Sequence, residues 1–120
     1  MSLTSEEPSY VYSIGSNFLH AQIADVTMTN LKFRSGIGAR IFVSWLNPHK
    51  EQKLVIMGSN GMLVFHEKEP AERKLVLYPH TINWQTGIPV PHKTESITID
   101  ISPILKEPLR AECEAFLAAI

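Results

Sequence analysis

Cysteine is nearly absent from this sequence of 120 residues, since Cys113 is the only one. An intramolecular disulfide and a C-x-x-C motif are therefore excluded, and a reducing compartment is expected. The five histidines include no H-x-x-x-H pair, so the sequence predicts no metal site. It also lacks the glycine-rich turns of dinucleotide and phosphate sites and the G-x-S-x-G motif of serine hydrolases. We therefore assign no catalytic, cofactor-binding or metal-binding residue from motifs.

Neither sign of charge predominates, because 11 basic residues stand against 12 acidic ones. A nucleic-acid partner is not expected, because such partners select a strongly basic surface. No apolar run reaches the roughly 18 residues of a membrane span, and the first ten residues, MSLTSEEPSY, do not resemble a secretory signal. We expect a cytoplasmic protein with no membrane partner.

The main pattern in the sequence is the alternation of apolar with polar residues, which predicts strands rather than helices. We predict an α+β fold: a largely antiparallel, open-faced sheet of about six or seven strands with a C-terminal helix packed on one face. Residues 1–9 are expected to be disordered or vector-derived, and residues 10–120 to form a single domain that is truncated at its end. The predicted strands cover residues 10–19, 26–33, 39–46, 53–57, 62–66, 74–78 and 96–101.

Three local features complete the predicted fold. Asn60-Gly61 is expected to supply a positive φ in a tight hairpin turn. A long polar loop is expected from Pro79 to Glu95. The helix should begin at Pro108, with Cys113 buried on its apolar stripe together with Leu109, Phe116, Leu117 and Ile120.

The predicted sheet is apolar on both faces, which one helix cannot cover. On the third strand Ile41, Val43 and Trp45 point one way, whereas Phe42 and Leu46 point the other way with Arg40 and Ser44. Large exposed apolar patches are rare on soluble monomers. We therefore predict a homodimer, or a higher homo-oligomer, with Ile41, Val43 and Trp45 at the interface.

Few polar residues are candidates for chemistry. Asp25 precedes a strand, and local backbone hydrogen bonds are the favoured interpretation over an acid/base role. His49 and His66 are interpreted as surface histidines rather than a cross-strand pair. Two polar interruptions are candidates for substrate contact, although ordinary loop polarity explains them nearly as well; their residues are Asn17, His20, Trp84 and Gln85.

Asp25 before a strand, an L-x-F-x-x-G turn from Leu31 to Gly36, and S-W-x-x-P from Ser44 to Pro48 follow one another in the chain. This order of elements resembles the C-terminal domain of the glucose–fructose oxidoreductase/inositol dehydrogenase (Gfo/Idh/MocA) family. The resemblance runs from Ile23 to Pro79 and returns in the terminal helix. Within the family, the sequence is most similar to the branch acting on UDP-N-acetyl-amino-sugar uronates. The matching residues are Asp25, Leu31, Phe33, Gly36, Ser44, Trp45, Pro48, Lys50, Glu51, Gly58, Gly61, Pro108, Leu109, Glu112 and Phe116.

The resemblance implies an NAD(P)-dependent dehydrogenase whose nucleotide is carried by an N-terminal Rossmann domain. Its catalytic Lys and His lie in E-K-P-type and G-x-H-x-x-D-type motifs, and neither motif is found in this sequence. The implied function is a substrate-binding and oligomerisation domain, non-catalytic by itself, with a sugar or nucleotide sugar as possible ligand. NAD(P) is expected only with the missing domain. The alternative is a free-standing binding or scaffold module that needs no cofactor.

Overall fold

The computed structural model describes residues 3–85, 87–104 and 107–119, and strands form most of it. The strands are β1 (Tyr10–Ser16), β2 (Val26–Lys32), β3 (Gly38–Ser44), β4 (Lys53–Gly58), β5 (Gly61–His66), β6 (Leu75–Gln85), β7 (Ile88–Lys93) and β8 (Ile97–Ile99). A 3-10 turn at Ser102–Ile104 and helix α1 (Pro108–Ala118) follow. In this part of the chain no helix is long and apolar enough to cross a membrane.

The chain divides into two compact units, Met1–Lys50 and Glu51–Ile120. In the first unit β1, β2 and β3 form an antiparallel meander in that order. Its β2–β3 turn uses Gly36, which has a φ of 91° that only glycine adopts readily. The Phe33 N–H donates to the Ile37 carbonyl across this turn at 2.9 Å. The turn therefore lies where the sequence R-S-G-I-G predicts it.

The second unit contains a five-stranded sheet in the order β4-β5-β6-β7, with β8 also paired to β6. All its pairings are antiparallel. Its register places eight apolar side chains on one face: Leu54, Ile56, Leu63, Phe65, Leu75, Leu77, Ile97 and Ile99. The opposite face contains Val64, which is only 4% exposed. The prediction of an antiparallel sheet that is apolar on both faces is confirmed for this unit.

The prediction of one sheet with six or seven strands is corrected, because the described residues form eight strands in two sheets. The predicted loop from Pro79 to Glu95 is likewise wrong. The β6 strand continues to Gln85, and β7 returns beside it after a turn containing Gly87, whose φ is 78°. Three prolines made this segment read as a loop, but Pro89 and Pro91 lie in an edge strand, where a missing N–H is tolerated.

The β4–β5 hairpin turn lies where it was predicted, with Gly58 paired to Gly61. Its predicted positive φ is wrong, because positive φ in the described chain is confined to Ser5, Gly36 and Gly87. Gly61 is needed for a different reason. A Cβ there would lie 3.1 Å from the Tyr78 carbonyl oxygen on the neighbouring strand.

Helix α1 begins at Pro108 as predicted, but the expected packing on a sheet face is not confirmed. No described strand lies within 8 Å of it, measured between Cα atoms. Leu109, Phe116 and Leu117 are each about two-thirds exposed, and Ile120, the last residue of the predicted stripe, lies outside the described residues. Cys113 is also exposed, so the prediction that it packs in the interior is wrong. The apolar stripe exists in the sequence, but nothing in the described chain covers it.

Candidate binding surfaces

Asp25 is the buried polar residue of the first unit, at 6% exposure. Its Oδ2 accepts hydrogen bonds from the backbone N–H groups of Phe18 and Leu19, each at 2.6 Å. Its own N–H donates to the Ser16 carbonyl, and its carbonyl accepts from the Trp45 N–H. The predicted local backbone bonding is thus confirmed. Asp25 holds the β1–β2 connection and the end of β3 together.

The β1–β2 connection, residues 17–24, contains two of the predicted substrate-contact residues. Asn17 donates through Nδ2 to the Ala21 carbonyl at 2.8 Å. His20 accepts through Nδ1 from the Gln22 N–H at 3.2 Å. Both side chains are exposed, and both are used to hold the loop in shape. Their role in substrate contact stays a prediction.

The other two predicted contact residues lie at the end of β6 in the second unit. Trp84 is 68% exposed and pairs with Pro89 across the β6–β7 hairpin. Gln85 is the last residue of β6, and its side chain falls outside the described part of the structure. The structure therefore presents Trp84 as an accessible ring, and contact with a substrate remains a prediction.

One face of the first sheet, here called the interface face, contains the three predicted interface residues. Ile41 and Val43 are each 50% exposed, and Trp45, just beyond β3, is 81% exposed. Ser13 and Thr29 form a cross-strand hydroxyl hydrogen bond of 2.9 Å on this face. The register adds Val11, Thr27, Leu31 and Ala39. The face is mostly apolar and open.

The opposite face, here called the aromatic–basic face, was not recognised as a site from the sequence. Its residues are Tyr10, Tyr12, Ile14, Met28, Asn30, Lys32, Arg40 and Phe42. Arg40 donates through Nε to Asn30 Oδ1 at 3.1 Å. The alternation along β3 already placed Arg40 and Phe42 together. The missing information was the register, which brings β1 and β2 side chains next to them.

A shallow open pocket lies in the second sheet where β7 gives way to β8, lined by Tyr78, Thr94, Glu95 and Ser96. Between the β6 residues paired with β8 and those paired with β7 lie Tyr78 and Pro79. They face three residues, 94–96, so this edge has one extra residue and contains a β-bulge. Thr94 donates through Oγ1 to the Pro79 carbonyl at 2.9 Å. Within the described chain, no group of three or more His, Cys, Asp or Glu side chains is placed to hold a metal ion.

The family comparison covers the first unit together with β4 and most of β5. Residues 1–64 match the family model described as "GFO/IDH/MocA C-terminal domain", which is 64 of 120 residues. This chain belongs to the GFO/IDH/MocA C-terminal domain family. No curated protein and no solved structure matches the chain.

The family assignment confirms the coarser part of the sequence resemblance. The matched segment contains Asp25, the Gly36 turn and Ser44-Trp45, which are all motif residues. Membership of this family indicates an oxidoreductase-family domain. The residues of α1 that resemble the family pattern lie beyond the matched segment.

Proposed function

We propose that this GFO/IDH/MocA C-terminal domain is the substrate-binding and self-association part of an NAD(P)-dependent sugar or polyol oxidoreductase. It is non-catalytic by itself and acts in the cytoplasm. The observation that supports this most is the first sheet, which lies within the family match and is open on both faces. A sheet with two accessible faces can hold a second copy of the chain on one side and a ligand on the other.

Self-association is assigned to the interface face. Ile41, Val43 and Trp45 are large apolar side chains with half or more of their surface exposed. A patch of this kind on a soluble protein favours a partner, and two-fold self-packing is the commonest arrangement. A stable interface of this type buries about 800 Å² on each partner. The proposed assembly is therefore a homodimer, or a higher oligomer built from it, that buries these three residues.

The proposed substrate class is a nucleotide sugar of the UDP-N-acetyl-amino-sugar uronate type. Asn17 and His20 project from a loop that Asp25 holds through two short hydrogen bonds. Polar side chains on a loop held in this way suit recognition of sugar hydroxyls. Trp84 belongs to the second unit and is proposed as a separate contact, because its exposed ring is of the kind that stacks on a sugar face.

The cofactor is proposed to bind elsewhere in the full enzyme. The sequence has no glycine-rich strand-to-helix turn, which is the element that receives the pyrophosphate of NAD(P). We expect no binding of NAD or NADP by this chain in calorimetric titration. Micromolar binding of either dinucleotide would contradict this part of the proposal.

The deciding experiment compares the oligomeric states of three proteins by size-exclusion chromatography with light scattering. The unmodified chain is expected to be a dimer or larger. Trp45→Glu is expected to give monomer or aggregate, because a charge cannot be buried unpaired in an apolar interface. Phe42→Glu is the matched control, since Phe42 is 60% exposed on the opposite face. A monomeric unmodified chain at micromolar concentration would contradict the proposed self-association.

A further inference from the structure

The aromatic–basic face contains two cations without an anionic partner. Arg40 lies opposite Asn30 on the neighbouring strand, so Lys32 is its diagonal neighbour on the same face. Such positions are about 7–8 Å apart, within reach of long side chains. The face contains no acidic residue, and in the described chain neither cation has a carboxylate oxygen within 4.0 Å. Two cationic side chains at diagonal positions of one face, with no carboxylate paired to either, favour binding of an anion.

Arg40 is oriented before any ligand arrives. Its Nε donates to Asn30 Oδ1 at 3.1 Å, which holds the guanidinium plane next to β2. The remaining N–H donors belong to the two terminal nitrogens, which form no other hydrogen bond in the described structure. A planar guanidinium with free paired donors matches the oxygen geometry of a phosphate. Side-chain orientation by a neighbour also lowers the entropy lost on binding.

Three exposed aromatic rings surround this pair of cations. Tyr12 lies in the same cross-strand row as Asn30 and Arg40. Tyr10 lies opposite Lys32, and Phe42 is two residues beyond Arg40 on the same face. The rings are exposed by 57% for Tyr10, 50% for Tyr12 and 60% for Phe42. Exposed rings on a sheet are platforms on which a planar nucleobase can stack.

We propose that the aromatic–basic face binds the nucleoside diphosphate part of a nucleotide sugar. Arg40 and Lys32 contact the diphosphate oxygens, and the base stacks on Tyr12 or Phe42. This inference rests on the proposed function, which makes a nucleotide sugar the substrate. The interface face is on the other side of the same sheet, so a dimer formed through it leaves this face open.

The test measures calorimetric binding to the full chain at 50 mM salt, with four probes. UDP and UDP-N-acetylglucosamine carry both the diphosphate and the base, whereas N-acetylglucosamine carries neither. A single-stranded oligothymidylate tests for a nucleic-acid site. UDP-N-acetylglucosamine is expected to bind as tightly as UDP or more tightly, since Asn17 and His20 are proposed to contact the sugar, and the free sugar is expected to bind much more weakly. Affinity for UDP should fall as salt rises to 200 mM, because exposed charges are screened.

Arg40→Gln is expected to weaken UDP binding about tenfold or more, since a charge-assisted contact is lost. Tyr12→Leu should weaken it less, because it removes only a stacking surface. Arg73→Gln removes the same charge from an exposed site in the second unit and should leave the affinity unchanged. Unchanged thermal unfolding of each variant verifies that the fold is intact.

The outcomes separate this inference from the proposed function. UDP binding that Arg40→Gln leaves unaltered would overturn the assignment to this face and leave the proposed function standing. Tighter binding of the oligothymidylate than of UDP would overturn the assignment to a nucleotide sugar. If the unmodified chain binds neither UDP nor UDP-N-acetylglucosamine, both the inference and the proposed nucleotide-sugar specificity fail, whereas self-association is judged separately by light scattering.

Discussion

The two units of this chain differ in what they bury. In the second unit, Glu51–Ile120, the buried residues are apolar: Val64 and Ile101 are 4% and 8% exposed. In the first unit, Met1–Lys50, the described buried residue is a carboxylic acid, Asp25, and large apolar side chains are exposed in both units. The buried position of the first unit is therefore hydrogen-bonded to backbone N–H groups, whereas the two buried positions of the second are apolar.

The family match can be compared with this difference between the two units. The matched segment includes the whole first unit, in which little apolar surface is removed from water. Burial of apolar area is the main stabilising contribution in folding. A sheet with so little of it gains stability when a partner covers a face. The proposed self-association and ligand binding are placed on the first unit because its sheet lies wholly within the family match.

The largest effect is expected for Asp25→Ala. This change removes a charged acceptor from the N–H groups of Phe18 and Leu19 and leaves both unpaired. Hydrogen bonds to a charged group contribute about 1.5–3 kcal/mol each, so we expect a loss of about 3 kcal/mol in unfolding free energy. Amide hydrogen exchange should accelerate in β1–β3 more than in β5–β6. Asp25→Asn keeps one acceptor oxygen and is the control, with a smaller loss expected.

Val64→Ala tests the buried apolar position of the second unit. We expect it to cause the next largest loss of unfolding free energy. Removal of two buried methyl groups is expected to lower the unfolding free energy by about 2 kcal/mol. Amide exchange should accelerate in β5 and in the first half of β6, which pair over residues 61–65 and 75–79. Equal acceleration in β1–β3 would show that the two units share their stability and would break the comparison.

Gly61→Val tests one close contact between β5 and β6 in the second unit. The new Cβ would lie 3.1 Å from the Tyr78 carbonyl oxygen and 3.4 Å from Leu77 Cδ1, so β5 and β6 must separate slightly. We expect a loss of about 1–2 kcal/mol, typical of overpacking. Thermal unfolding measures it, and Gly58→Val is the control, because a Cβ at Gly58 has its nearest neighbour at 3.7 Å. An equal loss in both variants would point to strand propensity rather than to the contact.

The smallest effect concerns Asp100, which accepts hydrogen bonds from the Ser102 hydroxyl and from the Ser102 N–H, the latter at 2.8 Å. Both bonds lower the pKa of Asp100, and the bond from the hydroxyl has the larger effect. A lowered pKa in the folded state contributes stability at neutral pH that is lost as the pH falls through that pKa. Asp100→Asn should therefore destabilise slightly at pH 7 and have no effect in strong acid. A pH-independent difference in melting temperature would contradict this.

Local patterns were sufficient to predict several elements. Alternation along β2, β3 and β5 predicted the strands and the division of β3 side chains between two faces. The position of Asp25 before a strand predicted its backbone hydrogen bonds. The R-S-G-I-G segment predicted a turn because glycine adopts positive φ without strain.

Features that depend on neighbours in space were missed. Whether a proline is tolerated in a strand depends on the strand being an edge, and β7 shows no local sign of that. The apolar stripe of α1 predicted burial, but burial requires a surface to pack against. The juxtaposition of Lys32 with Arg40 follows from the β2–β3 register, which two individual strand patterns do not determine.

The prolines of β7 have a consequence for how this protein can aggregate. Pro89 and Pro91 supply no backbone N–H, so an incoming chain cannot complete a regular hydrogen-bond ladder along that strand. The other margin of the same sheet, β4, contains no proline. The β7 margin is therefore protected from strand addition, whereas β4 and the short strand β8 keep their backbone N–H groups. The two prolines thus act as a local barrier to edge-to-edge pairing on one side of the sheet.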